Sequence, residues 1–146
     1  MTLPDDRVKH LEFIQATIAR QASHSFAVKG WSLTVSAAVY AYSAGNLQWW
    51  LAIVAMLPPV AFGWLDAFYL RQERLFRALY DAAIQPNAAL PIFSMDTSAY
   101  CDASAYPRCS RKSVRRANTW RVFHGLIAVV GLFLLGVALF KVFRGT

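Results

Sequence analysis

The sequence predicts an all-α integral membrane protein: three transmembrane helices plus cytoplasmic helices, assembled as an oligomeric bundle. Three observations predict it. Of the 146 residues 57% are hydrophobic and the mean hydropathy is +0.35, above the roughly 45–50% apolar content of a soluble domain. The apolar residues gather into three long runs where a soluble domain would show amphipathic periods, so much of this surface is meant for lipid. The 15 Lys and Arg against 8 Asp and Glu, net +7, lie almost entirely to one side of those runs.

The first element is a cytoplasmic amphipathic helix over 1–25. Pro4, Asp5 and Asp6 mark its start, and Val8, Leu11, Ile14, Ile18 and Ala22 recur at three- and four-residue steps opposite Arg7, Lys9, Glu12 and Arg20. A transmembrane hairpin follows over 26–70. Its first span, 26–45, carries a single charge and is long enough to cross ~30 Å of hydrocarbon at 1.5 Å per residue. A short turn at Gly45, Asn46 and Gln48 leads to the second span, 49–70, with Trp49 and Trp50 at one edge and Trp64 and Tyr69 near the other, where interface-seeking aromatics belong. Pro58 and Pro59 fall near the middle of span two and predict a kink there, the natural hinge.

Residues 71–118 form a cytoplasmic region of helix, loop and basic cluster. Helical periodicity runs past the membrane with Leu75, Phe76, Leu79 and Tyr80 on one face and Arg71, Arg74 and Arg77 as a basic ridge. From Gln85 to about Pro107, prolines, Ala, Ser and Asp predict a loop, although the apolar Pro91-Ile92-Phe93 must dock somewhere. Arg108, Arg111, Lys112, Arg115 and Arg116 then crowd into one short stretch, and span three, 119–141, opens at Trp120. Gly125, Gly131 and Gly136 offer it close helix approach.

Orientation follows from the cations. Residues 1–29 carry four Lys and Arg, residues 71–121 carry nine, the Gly45 turn none and the C-terminal tail two. The positive-inside rule therefore places the N-terminus and the 71–118 region in the cytoplasm, and the Gly45 turn and the C-terminus outside. The first apolar run begins at about Phe26 behind charged helical sequence, so no cleavable signal peptide is expected.

No catalytic set is visible. His10, His24 and His124 are scattered, there is no Gly-rich phosphate loop, and no carboxylate pair has acid–base spacing, so the chain is not read as an enzyme. Cys101 and Cys109, at C-x7-C, fit neither a zinc knuckle nor a redox pair and read as reduced thiols. No metal or cofactor is expected.

Three polar features remain. Lys29 and Asp66 lie about 16 and about 18 residues from the outer turn, so an antiparallel hairpin places them at similar depth. They either pair directly, or each snorkels to the inner interface, or Asp66 finds Arg71 or a neighbouring subunit. Ser25, Lys29, Ser32, Ser36, Tyr40 and Ser43 draw a polar stripe down span one, which either lines a pore that needs several subunits or packs against another helix. The cations from Arg71 to Arg116 either anchor the chain on anionic lipid, at ~1 kcal/mol per charge, or bind an anionic nucleotide or oligonucleotide.

Four stretches read together as more than hydropathy: Leu11-Glu12-Phe13-Ile14-Gln15, Lys29-Gly30-Trp31, the run from Asp66 through Tyr69-Leu70-Arg71-Gln72-Glu73 to Arg74, and Phe93-Ser94-Met95-Asp96-Thr97. Over roughly residues 8 to 97 the chain resembles the Hailong-type membrane effectors, small proteins of bacterial anti-phage defence. The basic linker and span three match only in character. The resemblance implies a homo-oligomeric, tetrameric ion channel that depolarises the membrane in abortive infection. It also implies closure by a DNA oligomer that a partner nucleotidyltransferase makes. Membrane effectors opened by cyclic nucleotides would look similar in sequence. The competing expectation is a non-conducting anchor or scaffold that recruits a cytoplasmic partner through 71–118.

Overall fold

A computed structural model describes residues 4–85 and 90–144. The part of the predicted loop that falls on 86–89, including Pro86, lies outside them. The fold is all-α, 82% helix, with no strand among the described residues. The described residues form five α-helices in order, α1 (Asp5–Asn46), α2 (Trp49–Val54), α3 (Leu57–Ala83), α4 (Arg111–Arg115) and α5 (Asn118–Arg144), with short 3-10 turns at Ser98–Tyr100 and Pro107–Cys109.

Two differences from the sequence reading have plain causes. The amphipathic stretch and the first apolar stretch are one uninterrupted helix of 42 residues. Composition changes at Ser25–Phe26, but apart from Gly30 nothing between Asp5 and Ala44 breaks a helix. Span two, in contrast, is broken where a kink was expected. Its helix stops at Val54, turns through Ala55 and Met56, and restarts at Leu57. Pro58 and Pro59 thereby fall in the first turn of α3, where the N–H that proline lacks would have had no intrahelical acceptor.

Two helical stretches are long and apolar enough to cross a membrane: the α2–α3 run Trp49–Ala83 and α5, whose best windows have mean hydropathies of 1.7 and 2.6. The stretch 26–45 does not join them, because Lys29 and its row of hydroxyls lower its hydropathy.

The chain divides into two compact units. The first draws on Met1–Ser25 and Ala67–Arg115. Here Leu11 and Ile14 of α1 pack with Leu75, Leu79 and Ala83 of α3, and Tyr100 and Cys109 of the loop close the cluster. The two helices run antiparallel, as Gln15 bonding Tyr80 (3.0 Å) and His24 stacking near Tyr69 (5.2 Å) require. Arg7 donates to the Ala83 carbonyl (3.0 Å) and to that of Gln85. It supplies from α1 the cation that the last turn of α3 lacks.

The apolar tripeptide touches α1 but is not buried: Ile92 and Phe93 stay 58% and 48% exposed. Phe93 lies 6.0 Å from the ring of Phe13, and His10 donates from Nε2 to the Ser94 carbonyl at 2.9 Å. Phe93 sits at φ 66°, in left-handed backbone that a bulky residue adopts at a cost of order 1 kcal/mol. The Ser94 N–H to Pro91 carbonyl turn (3.1 Å) and the α1 contacts hold it there.

The second unit draws on Phe26–Asp66 and Arg116–Thr146, and its polarity is inverted. Phe26, Trp64 and Phe133 are 80%, 72% and 69% exposed, whereas Asp66 and Ser32 are fully buried. A water-soluble domain buries the first group and exposes the second. Gly131 explains how closely α5 is approached: a Cβ there would collide with Met56 Sδ and with Tyr40 Oη. Gly125 and Gly136 face open space and have no such role.

Candidate functional sites: a buried charge network and an exposed basic segment

Asp66 sits on α3 in the second unit with no exposed surface and accepts from two helices. Lys29 Nζ of α1 reaches its Oδ1 at 2.6 Å, and His124 Nε2 of α5 reaches its Oδ2 at 3.0 Å. The direct Lys29–Asp66 pair, one of three alternatives in sequence, is thus the arrangement found. A carboxylate can only accept, so Nε2 donates, and in the neutral imidazole Nδ1 then carries no proton. That Nδ1 is buried and has no hydrogen-bond partner. Lys29 and Asp66 cancel in charge, which is what makes them tolerable among apolar helices. Trp120, one turn before His124, donates from Nε1 to the Gly63 carbonyl at 2.9 Å and fixes α5 against α3 beside the network.

The polar stripe faces inward within a single chain. Ser32, Ser36 and Ser43 are buried, and Tyr40 donates from Oη to the Ile127 carbonyl at 3.1 Å. The Ser32 and Ser36 hydroxyls are buried with no partner, so they do not bond back to their own helix.

The predicted ligand-binding cations divide into two groups. Arg71 donates to the Cys109 carbonyl (3.1 Å), and Arg74 to the Arg108 carbonyl (2.8 Å) and the Ser113 hydroxyl (3.2 Å). Both are half-buried and act as struts that hold the 108–113 backbone. Arg77 is exposed and paired with Glu73 one turn earlier, at 2.8 Å. The side chains left facing outward on the first unit are Arg108, Arg111, Lys112 and Arg115, and Arg116 is exposed at the start of the second. The strut pattern explains that presentation, since the carbonyls are turned to α3 while the cations project away. Cys109 anchors the same segment from beneath. Burial pushes its thiol pKa up, with Arg74 and Arg71 pulling the other way. Cys101 is exposed, and both are free thiols.

His124 is the participant that sequence reasoning missed. Its acceptor lies 58 residues away, so no local motif announces it. The available signal was its place as the last strongly polar residue before a uniformly apolar run, with Trp120 on the same face. Among the described residues no cluster of His, Cys, Asp and Glu could hold a metal ion. No known family, curated protein or solved structure matches the chain.

Proposed function

We propose that the chain is a membrane-embedded, ion-conducting effector under the control of an anionic ligand. In this reading 26–45 crosses the bacterial inner membrane together with the α2–α3 run and α5, making three spans with the N-terminus cytoplasmic and the C-terminus outside. The observation that carries it is the Lys29–Asp66–His124 network inside a unit whose exterior is apolar. Ionisable residues are costly in a membrane interior and mark ion or proton pathways there. The cytoplasmic ligand site is the outward face of Arg108, Arg111, Lys112 and Arg115, four cations on a segment that Arg71 and Arg74 hold in place. A nucleotide or DNA oligomer is the ligand chemistry that fits, since guanidinium groups bind phosphate in pairs of hydrogen bonds.

The resemblance to Hailong-type effectors supports the rest: a homo-oligomer, by that likeness a tetramer, which depolarises the membrane in abortive infection and responds to the product of a partner nucleotidyltransferase. Planar-bilayer recording of the purified protein tests the reading. Current that changes at least tenfold on adding short single-stranded DNA is expected. Arg111→Glu with Lys112→Glu should remove that response by reversing charge. Arg71→Ala with Arg74→Ala should remove it by releasing the segment, with membrane insertion unchanged. Absence of current with and without DNA favours the alternative of a non-conducting anchor that recruits a cytoplasmic partner.

A further inference from the structure

Several features of the second unit fall on one line. Along α1, Lys29, Ser32, Ser36, Tyr40 and Ser43 succeed one another at three- and four-residue steps. Four of the five are buried, Ser32 and Ser36 completely or nearly so. Consecutive members rise ~4.5–6 Å along the helix, about the span that one bridging water covers between two hydroxyls. Unpartnered buried hydroxyls are destabilising by ~1–3 kcal/mol each, so packing alone gives no reason for Ser at 32 and 36 where Ala would fit. At one end of the row stands the Asp66 carboxylate with the His124 imidazole, whose Nδ1 is also buried and unpartnered. Hydroxyls, a carboxylate and an imidazole with a bare nitrogen share one chemical competence, which is to take up a proton on one side and release another on the far side.

We propose that this row is a proton path within a single protomer, with Asp66 and His124 as its relay. It rests on the conducting reading above and names the ion. A proton arriving at the bare Nδ1 of His124 makes the imidazolium. The Nε2 proton then passes to Asp66, which leaves a neutral imidazole of the opposite tautomer and a neutral carboxylic acid. Asp66 gives its proton to the water and hydroxyl row of α1, and the imidazole returns to its starting tautomer by ring or proton exchange. Lys29 stays protonated throughout and holds Asp66 in position. One full cycle moves one proton and leaves the relay as it began. A path so narrow passes protons and excludes hydrated K⁺ and Na⁺, and it needs no pore at an oligomer axis.

Proteoliposomes holding a trapped pH-sensitive dye, clamped with K⁺ and valinomycin, test it with and without short single-stranded DNA. Parallel assays follow Na⁺ and K⁺ flux. The expected result is proton flux under at least one of the two DNA conditions, without Na⁺ flux, falling at least tenfold in Asp66→Asn. Asp66→Asn disturbs an ion pair, so Ser32→Ala with Ser36→Ala is the fold-preserving variant. It removes two hydroxyls that bond no protein group, and it should cut proton flux at least fivefold without lowering the thermal unfolding midpoint. Na⁺ or K⁺ flux that is indifferent to these substitutions overturns the proton path and keeps the conducting reading. Proton flux that the serine variant leaves unchanged overturns the path as drawn. No flux of any ion under either condition overturns both readings.

Discussion

At the scale of single residues, the charge network and the loop aspartates make opposite demands on a carboxylate. Asp66 is buried among apolar helices, and Lys29 and His124 help to keep its charge acceptable there. Removing one partner of such a pair costs about 3–5 kcal/mol, because the other charge is left stranded, while replacing both by apolar residues of similar volume is often neutral. Asp66→Ala should therefore lower unfolding stability in detergent by that amount, and Lys29→Met with Asp66→Leu should recover most of it. A double-variant loss equal to the sum of the losses in Asp66→Leu and Lys29→Met alone would show that the pair carries no coupling. Asp96 and Asp102 are exposed and caught in matching turns. Each takes the N–H and the hydroxyl of the serine two residues on, at 2.8–2.9 Å. Those bonds, backbone first, hold both carboxyls below their ordinary value. A depressed folded pKa adds stability that is present above the unfolded value of ~3.9 and is lost as pH falls through the folded one. Amide exchange at Ser98 and Ser104, corrected for its intrinsic pH dependence, should thus stay protected below the ordinary carboxyl value of ~3.9 and open only as pH falls through the lowered folded value.

At the scale of elements, what could be read from sequence was what leaves a local trace. The all-α class, the start of α1 behind Pro4 and the apolar runs of α3 and α5 all rest on periodicity, capping or length. The continuity of α1 did not show, because a change from amphipathic to apolar composition alters what a helix touches without altering its backbone. The break at Ala55–Met56 was half legible: two prolines announce lost N–H groups, but which carbonyls go unbonded depends on where the next helix restarts. The roles of Arg71 and Arg74 were hidden for another reason. Their acceptors are backbone carbonyls 38 and 34 residues away, and a carbonyl has no sequence signature. The glycines of α5 show the same limit, since all three looked equal as packing sites and only Gly131 is one. Gly131→Ala should cost about 1–3 kcal/mol through overpacking against Tyr40 and Met56, and Gly136→Ala should leave the unfolding midpoint where it is or raise it slightly through helix propensity. A matching loss at both positions would mean that helix geometry, and not contact, sets the preference for glycine.

At the scale of the whole molecule the decisive property is how many times the chain crosses the bilayer. The α2–α3 run and α5 pass on length and hydropathy. The 26–45 stretch of α1 is the contested one, and the charge network bears directly on it. A lone Lys or Asp at the centre of a spanning helix costs roughly 2.5–3.5 kcal/mol on insertion scales. Paired at 2.6 Å, with Asp66 fully buried, the two form one neutral unit, and the exposed side chains of the stretch include the apolar Phe26, Trp31, Leu33 and Tyr42. Three crossings put the two termini on opposite faces, whereas two put them on the same face. Reporter fusions separate these outcomes: an N-terminal fluorescent protein should be bright in the cytoplasm and a C-terminal alkaline phosphatase active outside. The exposed thiol of Cys101 gives an internal check, since an impermeant maleimide should label it in inverted vesicles and not in intact spheroplasts. Asp66→Ala then probes the pairing itself. It strands Lys29, so a fraction of the chains should lose the first crossing while the second and third remain. Termini that share a face in the wild-type protein would rule out the three-span topology, and with it a polar row that traverses the membrane.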